Sequence, residues 1–122
     1  MSRILGVNIP DKKRLLISLT YIYGIGISTS KKILSTLGVD WATRTKDLSN
    51  DQLIRISNEI KKYAVEGDLR SKVAMDIKEL KELKTYRGKR HQMQLSVRGQ
   101  RTRSNCRTRK GKRLAITGKK RI

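Results

Sequence analysis

The 122-residue sequence contains no phenylalanine and only one cysteine, one proline, one histidine and one tryptophan. A single cysteine excludes an intrachain disulfide and any metal site built from cysteine pairs. The lone His91 has no partner at metal-ligand spacing, and no nucleophile is implied near it. We therefore expect no metal, no cofactor and no enzymatic activity. The first residues resemble the start of a folded domain, so we expect no signal peptide, transit peptide or transmembrane run.

Acidic residues are also scarce, because ten Asp and Glu face thirty Lys and Arg, for a formal net charge of +20. This much positive charge repels itself, and a polyanion relieves the repulsion by pairing with the side chains and releasing counterions. Nucleic acid is the commonest such partner. An anionic membrane would call for an amphipathic or lipidated anchor, and the sequence shows neither. The charge therefore favours nucleic-acid binding.

The charge also divides the chain in two. Residues 1–86 carry sixteen basic and ten acidic side chains, whereas residues 87–122 carry fourteen basic and no acidic ones. The second segment has few apolar residues, so it cannot bury enough apolar surface to offset its loss of conformational entropy. We predict a helical globular domain over residues 1–86. A long, extended basic tail over residues 87–122 would become ordered on its partner.

Apolar residues at helical spacing predict four helices in the first segment, and so a mainly α fold. Only residues 4–9 resemble a strand, and Trp41 is expected to pack over the core from a connecting loop. The predicted apolar stripes are Leu15, Leu16, Leu19, Ile22 and Tyr23 in the first helix; Ile33, Leu34 and Leu37 in the second; Leu53, Ile56 and Ile60 in the third; and Leu69, Val73, Ile77 and Leu80, closed by Leu83 or Lys84, in the fourth.

Helix ends are predicted from capping residues. Glycine suits the left-handed position that follows a last turn, and Ser-x-x-Gln has the spacing of a capping box. The predicted caps are Ser28 or Ser30 before the second helix, Gly38 after it, Ser49 with Gln52 before the third helix, and Asp68, in a turn with Gly67, before the fourth.

Gly24 and Gly26 lie between the first two predicted helices. They allow a tight turn with uncovered backbone N–H groups, and Gly26 is expected to need a positive φ. The next helix adds its free N–H groups and the positive end of its dipole, so the segment, with Ser28, could hold a phosphate. Lys31 and Lys32 would supply charge. The spacing alone fits a plain helix–helix turn equally well, and the basic context favours phosphate binding.

Two further motifs are basic. The segment from Tyr86 to His91 concentrates cations, and arginine pairs with phosphate and stacks on bases. Between residues 97 and 111, arginines alternate with small polar residues that can bond phosphate oxygens and 2′-hydroxyls, and Gly99 and Gly111 allow turns. The candidate RNA-binding residues are Arg87, Lys89, Arg90, His91, Arg98, Gln100, Arg101, Arg103, Asn105, Arg107, Arg109, Lys110, Lys112 and Arg113.

Several blocks, in this order, resemble the bacterial-type family of small ribosomal subunit protein thirteen. The glycine hairpin alone would be weak, but the ordered set with its last blocks is highly specific. The blocks are Arg3–Pro10, Leu19–Gly26, Val65–Arg70, Tyr86–Gly88, Arg90–His91, Val97–Thr102, Asn105 and Arg107–Gly111.

The resemblance implies a small helix-two-turns-helix bundle on the head of the small subunit. Its implied partners are small-subunit rRNA, ribosomal protein nineteen, P-site tRNA, and large-subunit protein five with an rRNA finger across an intersubunit bridge. The ending resembles plastid and some bacterial members, so the implied location is the ribosome of a bacterial cytoplasm or a plastid stroma. The implied contacts are rRNA near Gly24, Gly26, Ser28, Arg87, Arg90 and His91, rRNA threaded by the cations of residues 98–113, and tRNA at Lys119, Lys120 and Arg121.

Two alternatives share some of these features. A DNA-binding helix-hairpin-helix protein would have the same charge and the same glycine hairpin, but the acid-free tail argues against it. A glycosylase would need a positioned nucleophile and a pocket for a flipped base. The carboxylates here are spread along predicted helices among basic neighbours, as on solvated helix faces.

Overall fold

The computed structural model describes residues 2–114, and the chain in this range is mainly helical. The mainly α fold predicted from apolar periodicity is confirmed. The elements are β1 (Ser2–Ile4), β2 (Val7–Ile9), α1 (Leu15–Ser18), a 3₁₀ turn (Leu19–Tyr21), α2 (Ile27–Leu37), a second 3₁₀ turn (Thr45–Asp47), α3 (Asn50–Ile60), α4 (Glu66–Glu82), α5 (Tyr86–Gln92) and α6 (Arg107–Lys110).

The described chain forms two compact units, a first unit of residues 2–72 and a second unit of residues 73–114, which divide within α4. The boundary after residue 86 was drawn from charge rather than from contacts, and it stays a prediction. None of the helices between residues 2 and 114 combines the length and apolarity that a bilayer span needs.

The first unit is built around one apolar core. The hairpin of β1 and β2, helices α1 to α3 and the segment before α4 all contribute to it. The predicted stripes of the first three helices reach the core or its edge, apart from the exposed Tyr23. The buried apolar residues are Ile4, Ile9, Leu15, Leu19, Ile22, Ile25, Ile33, Leu34, Ile56, Ile60 and Val65.

Residues 4–9, the one strand-like stretch of the sequence, lie in an antiparallel hairpin in which Ser2 faces Ile9. The chain turns at Leu5 and Gly6, which have φ values of +48° and +82°. Two consecutive positive φ values are typical of the tight turn that matches the twist of a hairpin. Ile4 and Ile9 are both buried in the core. Ile9 is paired with Ser2, and Ser2 and Ile4 lie on the same face because alternate residues of a strand point to the same side.

The apolar stripe predicted a single helix over residues 15–23, and this prediction was wrong because the observed helix is shorter. α1 ends at Ser18, a 3₁₀ turn follows, and Ile22 is extended with ψ +124°. The bend allows Ile22 to remain buried while Tyr23 leaves the core. Buried Ser18 has hydrogen-bond partners on both sides, because it accepts from Thr45 Oγ1 at 2.9 Å and donates to the carbonyl of Pro10 at 3.2 Å.

The N-cap of α2 is Gly26, and neither Ser28 nor Ser30 takes that position as predicted. Ser30 is buried and donates its hydroxyl hydrogen to the Leu16 carbonyl at 3.0 Å, so it joins α2 to the core instead. Gly38 ends the helix with φ +64°, which confirms the left-handed position predicted for it.

Helix α3 begins as predicted, because Ser49 and Gln52 form both bonds of a capping box. The start of α4 was predicted wrongly. The helix begins at Glu66, so Gly67 and Asp68 lie within its first turn and Asp68 is not the cap. No residue of α4 is buried, and Val73 and Leu83 of its predicted stripe are exposed.

In the second unit, α5 packs closely on the end of α4. A Cβ added to buried Gly88 would lie 2.0 Å from the Leu80 carbonyl oxygen, so only glycine allows this approach. Thr85 caps α5 by accepting from the Gly88 N–H at 3.0 Å, and its hydroxyl donates to the Leu80 carbonyl at 3.1 Å. Neither α5 nor α6 was predicted from the sequence, because these segments lack an apolar stripe.

Candidate nucleic-acid interface

The glycine hairpin of the first unit requires glycine at Gly24. Its φ is +105°, and an added Cβ would lie 2.8 Å from Leu69 Cδ2 and 3.0 Å from the Ala64 carbonyl oxygen. Gly26 has φ −96° and nothing within 4 Å of an added Cβ. The positive φ expected at Gly26 was therefore wrong, and the turn depends on Gly24.

The hairpin is fixed to the start of α4 by a reciprocal pair of hydrogen bonds. The Tyr23 N–H donates to Glu66 Oε1 at 2.7 Å, and the Glu66 N–H donates to the Tyr23 carbonyl at 2.9 Å. The Arg70 guanidinium lies 4.3 Å from the centre of the Tyr23 ring and 3.8 Å from the Glu66 carboxylate. Sequence reasoning missed Glu66 and Arg70, since no local pattern signals a contact across 43 residues.

The first turn of α2 leaves backbone donors open, because no side chain caps it and an α-helix does not use its first N–H groups. Ser28, Lys31 and Lys32 are exposed in this turn or in the next one. The Lys31 ammonium lies 5.4 Å from the centre of the Trp41 ring. Trp41 is 44% exposed, so it contacts a cation at the surface instead of packing over the core as predicted.

In the second unit, the four basic residues predicted between residues 87 and 91 lie on α5. Arg87 and Lys89 are exposed, whereas Arg90 and His91 are half-buried. Arg90 donates its Nε–H to the Ser96 carbonyl at 2.9 Å, which fixes the chain after α5 against the helix. Part of the Arg90 side chain therefore has a structural role that its sequence motif did not indicate.

His91 contacts Arg109, whose Nη2 lies 3.1 Å from His91 Nδ1. Arginine has no acceptor, so Nδ1 accepts this bond and the imidazole is neutral while the bond persists. Partial burial lowers the pKa of His91, and the positive charges of Arg109, Arg87 and Lys81 lower it further. An incoming phosphate would oppose this shift, because an anion favours the protonated imidazole.

Residues 97–113 turn back on themselves through bonds from side chains to the backbone. Cys106 Sγ lies 2.7 Å from the Arg101 carbonyl, Lys110 donates to the Thr102 carbonyl, and Arg113 donates to the Ser104 carbonyl at 3.3 Å. Positive φ values at Gly99 and Gly111 confirm the turns predicted there, and Cys106 is also left-handed at φ +67°. The predicted cations of this segment are all exposed, and Arg109, Lys110 and Arg113 among them also make internal bonds. They are Arg98, Arg101, Arg103, Arg107, Arg109, Lys110, Lys112 and Arg113.

This segment and α5 enclose an open cleft of about 810 Å³. No carboxylate lines it, and its polar groups are guanidinium, amide and hydroxyl groups. Arginines can pair with phosphates from its walls, while amides and hydroxyls can bond sugars and base edges. The lining residues are Arg90, Gln100, Arg101, Thr102, Arg103, Ser104 and Asn105, which will be called the arginine cleft.

The structure thus brings together five of the predicted residues in the arginine cleft and collects another group, Gly24 to Lys32, at the glycine hairpin of the first unit. The predicted tRNA-binding residues Lys119, Lys120 and Arg121 lie outside the described residues. Between residues 2 and 114, no three His, Cys, Asp or Glu side chains come together as a metal ion would require.

A comparison with protein-family models matches residues 3–108 to the family described as Ribosomal protein S13/S18. The chain belongs to this ribosomal protein family. It is therefore a structural, non-enzymatic protein of the small ribosomal subunit that binds rRNA. The match includes the glycine hairpin, α5 and the whole arginine cleft, and it ends before Arg109.

Proposed function

We propose that the chain is a bacterial-type member of its family, from a bacterium or a plastid, and that it holds rRNA of the small-subunit head mainly through the arginine cleft. The observation that carries the proposal is the lining of the cleft, which contains three arginines and no carboxylate. Arginine pairs bidentately with phosphate and stacks on unpaired bases, and Gln100 and Asn105 add donors and acceptors for base edges or 2′-hydroxyls.

The glycine hairpin provides a second phosphate contact in this proposal. Its support is the uncapped first turn of α2, the exposed Ser28 and the nearby Lys32. Free N–H groups at a helix start favour an anion. The link between Tyr23 and Glu66 would keep these donors in place, since it fixes the turn that precedes them.

The remaining partners are proposed from the family resemblance. The chain would contact ribosomal protein nineteen within the head, and it would reach large-subunit protein five and an rRNA finger across an intersubunit bridge. Lys119, Lys120 and Arg121 would approach P-site tRNA, because three cations within three residues suit a phosphate backbone. Crosslinking in assembled ribosomes tests each contact separately.

The rRNA proposal is tested by comparing the affinity of the full chain for a head-domain rRNA fragment and for a DNA duplex of equal length at matched salt. We expect a clear preference for the rRNA fragment. The double variant Arg101→Gln/Arg103→Gln should lose about 1.5 units of the slope of log Kd against log salt. Arg44→Gln/Arg55→Gln removes the same charge from exposed positions of the first unit and serves as the control. Equal affinity for duplex DNA would favour the DNA-binding alternative instead.

A further inference from the structure

A second basic cleft lies at the corner where α4 ends and α5 begins, both within the second unit. It has a volume of about 380 Å³ and is lined by Lys81, Lys84, Lys89 and Gln92. Lys81 lies in the last turn of α4, and Lys84 follows the end of that helix. Lys89 and Gln92 are three residues apart on α5, a spacing that puts side chains on the same face of a helix. All four residues are exposed. Of these four residues, only Lys89 lies in one of the basic motifs identified from the sequence.

The charges of this lysine cleft are not neutralised within the described chain. No carboxylate between residues 2 and 114 forms an ion pair with any of its three lysines. The nearest acidic residue along the helix, Glu82, is paired with Lys78 at 3.7 Å. Three ammonium groups around one small cleft repel one another, and an anion between them would relieve this repulsion.

The backbone at Lys84 provides an independent argument. Lys84 has φ +54°, and the Lys84 and Thr85 N–H groups donate to the Lys81 and Leu80 carbonyls at 3.1 Å and 3.4 Å. This is the hydrogen-bond pattern with which a helix ends at a glycine, with lysine in the glycine position. A lysine there is strained, and strain of this kind concentrates at functional sites.

The corner itself is rigid enough to present these lysines. Gly88 packs its backbone on the Leu80 carbonyl, and Thr85 joins both helices through its hydroxyl. Because the side chains start from a fixed backbone, less entropy is lost when they bind an anion than in a mobile tail.

We propose that the lysine cleft binds the phosphodiester backbone of RNA, as a contact separate from the arginine cleft. RNA is favoured over an acidic protein segment because Lys89 is adjacent in the chain to Arg90, which lines the arginine cleft. A single RNA strand or helix edge could therefore contact both. This inference rests on the proposed function, since it assigns further contacts to the same partner.

The test is the salt dependence of rRNA binding by the full chain. The variant Lys81→Gln/Lys84→Gln/Lys89→Gln should lower the slope of log Kd against log salt by roughly 2 to 3 units, because each lost phosphate contact removes about 0.7 to 0.9. The matched control is Lys12→Gln/Lys46→Gln/Lys61→Gln, which removes three exposed lysines from the first unit. A slope that falls equally in both variants would overturn the lysine cleft.

A second variant separates binding from folding. Lys84→Gly removes one charge and also relieves the positive φ, so we expect a melting temperature several degrees higher and rRNA binding several-fold weaker at low salt. If Lys84 had only a structural role, the stabilised Lys84→Gly variant would bind rRNA at least as well as the wild-type chain. A higher melting temperature together with weaker binding therefore distinguishes a contact with RNA from a structural role. Unchanged affinity together with a higher melting temperature would overturn the proposal.

Two further results would also decide against it. In the first, millimolar inorganic phosphate shifts the NMR signals of the Lys84 and Gly88 amides, and added RNA does not reverse the shift. This result would assign the cleft to the free anion. Crosslinks from the three lysines to protein carboxylates in assembled ribosomes would assign it to an acidic protein. A wild-type chain with no preference for head rRNA would instead refute the proposed function, whatever the variants do.

Discussion

The two units of the chain are stabilised in different ways. All the buried apolar residues of the described chain lie between Ile4 and Val65, within the first unit. The second unit is held by a glycine contact, a threonine cap and bonds from side chains to backbone carbonyls. Residues 73–114 carry fourteen basic and three acidic side chains, against thirteen and seven in residues 2–72. The second unit thus has the greater excess of positive charge and buries less apolar surface. This combination is what we expect of a segment that is stabilised further when it binds RNA.

The largest expected effect tests the core directly. Ile56→Ala should destabilise the first unit by about 2–5 kcal/mol, because it removes a fully buried side chain and leaves a cavity. Leu80→Ala in the second unit should cost about 1 kcal/mol, since Leu80 is half-buried. Hydrogen exchange of the amides in each unit measures both changes. Equal losses would mean that the second unit has a core of its own.

A smaller loss of stability is expected at the glycine hairpin. Gly24→Ala should cost about 1–3 kcal/mol, because φ is +105° and Leu69 and the Ala64 carbonyl leave no room for a Cβ. Gly26→Ala should cost less, about 1 kcal/mol at most, since its φ is negative and its surroundings are open, and only the weaker N-cap preference of alanine acts against it. Urea unfolding monitored by circular dichroism compares the two variants, and a larger loss at Gly26 would contradict the assigned geometry.

In the second unit, Gly88→Ala should disrupt the corner of α4 and α5, where an added Cβ would meet the Leu80 carbonyl. It should weaken rRNA binding by roughly tenfold or more, because the phosphate contacts proposed for both clefts depend on that corner. The first unit should keep its amide protection. Gly67→Ala, at an open helical position, is the control and should leave binding unchanged. Binding at wild-type strength by Gly88→Ala would mean that the corner does not position the interface.

The smallest effect expected is a pH dependence at His91. Its pKa is lowered in the folded protein, so the unfolded chain binds the proton more readily. Above about pH 6.5 His91 is neutral, and its bond with Arg109 should be fully present. As the pH falls below that value and passes the lowered pKa of the folded protein, His91 becomes protonated and the bond should be lost. Amide protection factors in residues 101–113, which correct for the slower intrinsic exchange at lower pH, should fall in that range, and His91→Gln should flatten the response. A response that persists in His91→Gln would assign it to another group.

Much of the first unit could be predicted because its signals are local. The stripe of α3 and its capping box need only side chains a few residues apart, and Gly38 ends α2 for a reason that is visible in the sequence. The shortened α1 could not be predicted, because its last residue, buried Ser18, bonds to Thr45, which lies 27 residues further along the chain. The bond between Tyr23 and Glu66 joins residues far apart in the chain, and no local pattern indicates it.

The candidate site shows the same limit. The candidate residues between 87 and 113 were identified by composition and resemblance, and five of them, three arginines with Gln100 and Asn105, do line one cleft. Composition did not predict α5, because that helix depends on the cap at Thr85 and the contact of Gly88 with Leu80. Lys81 and Lys84 were missed because they lie in a helix and its end, where lysines are ordinary surface residues.

Protein–RNA crosslinking of the full chain in cell lysate, followed by sedimentation, tests the central claim most directly. We predict that the chain sediments with small subunits and whole ribosomes. Crosslinks from residues 87–113 should then map to small-subunit head rRNA, with the segment around the arginine cleft strongest. Recovery with chromosomal DNA, or ribosomal recovery without any crosslink from residues 87–113 to rRNA, would contradict the account.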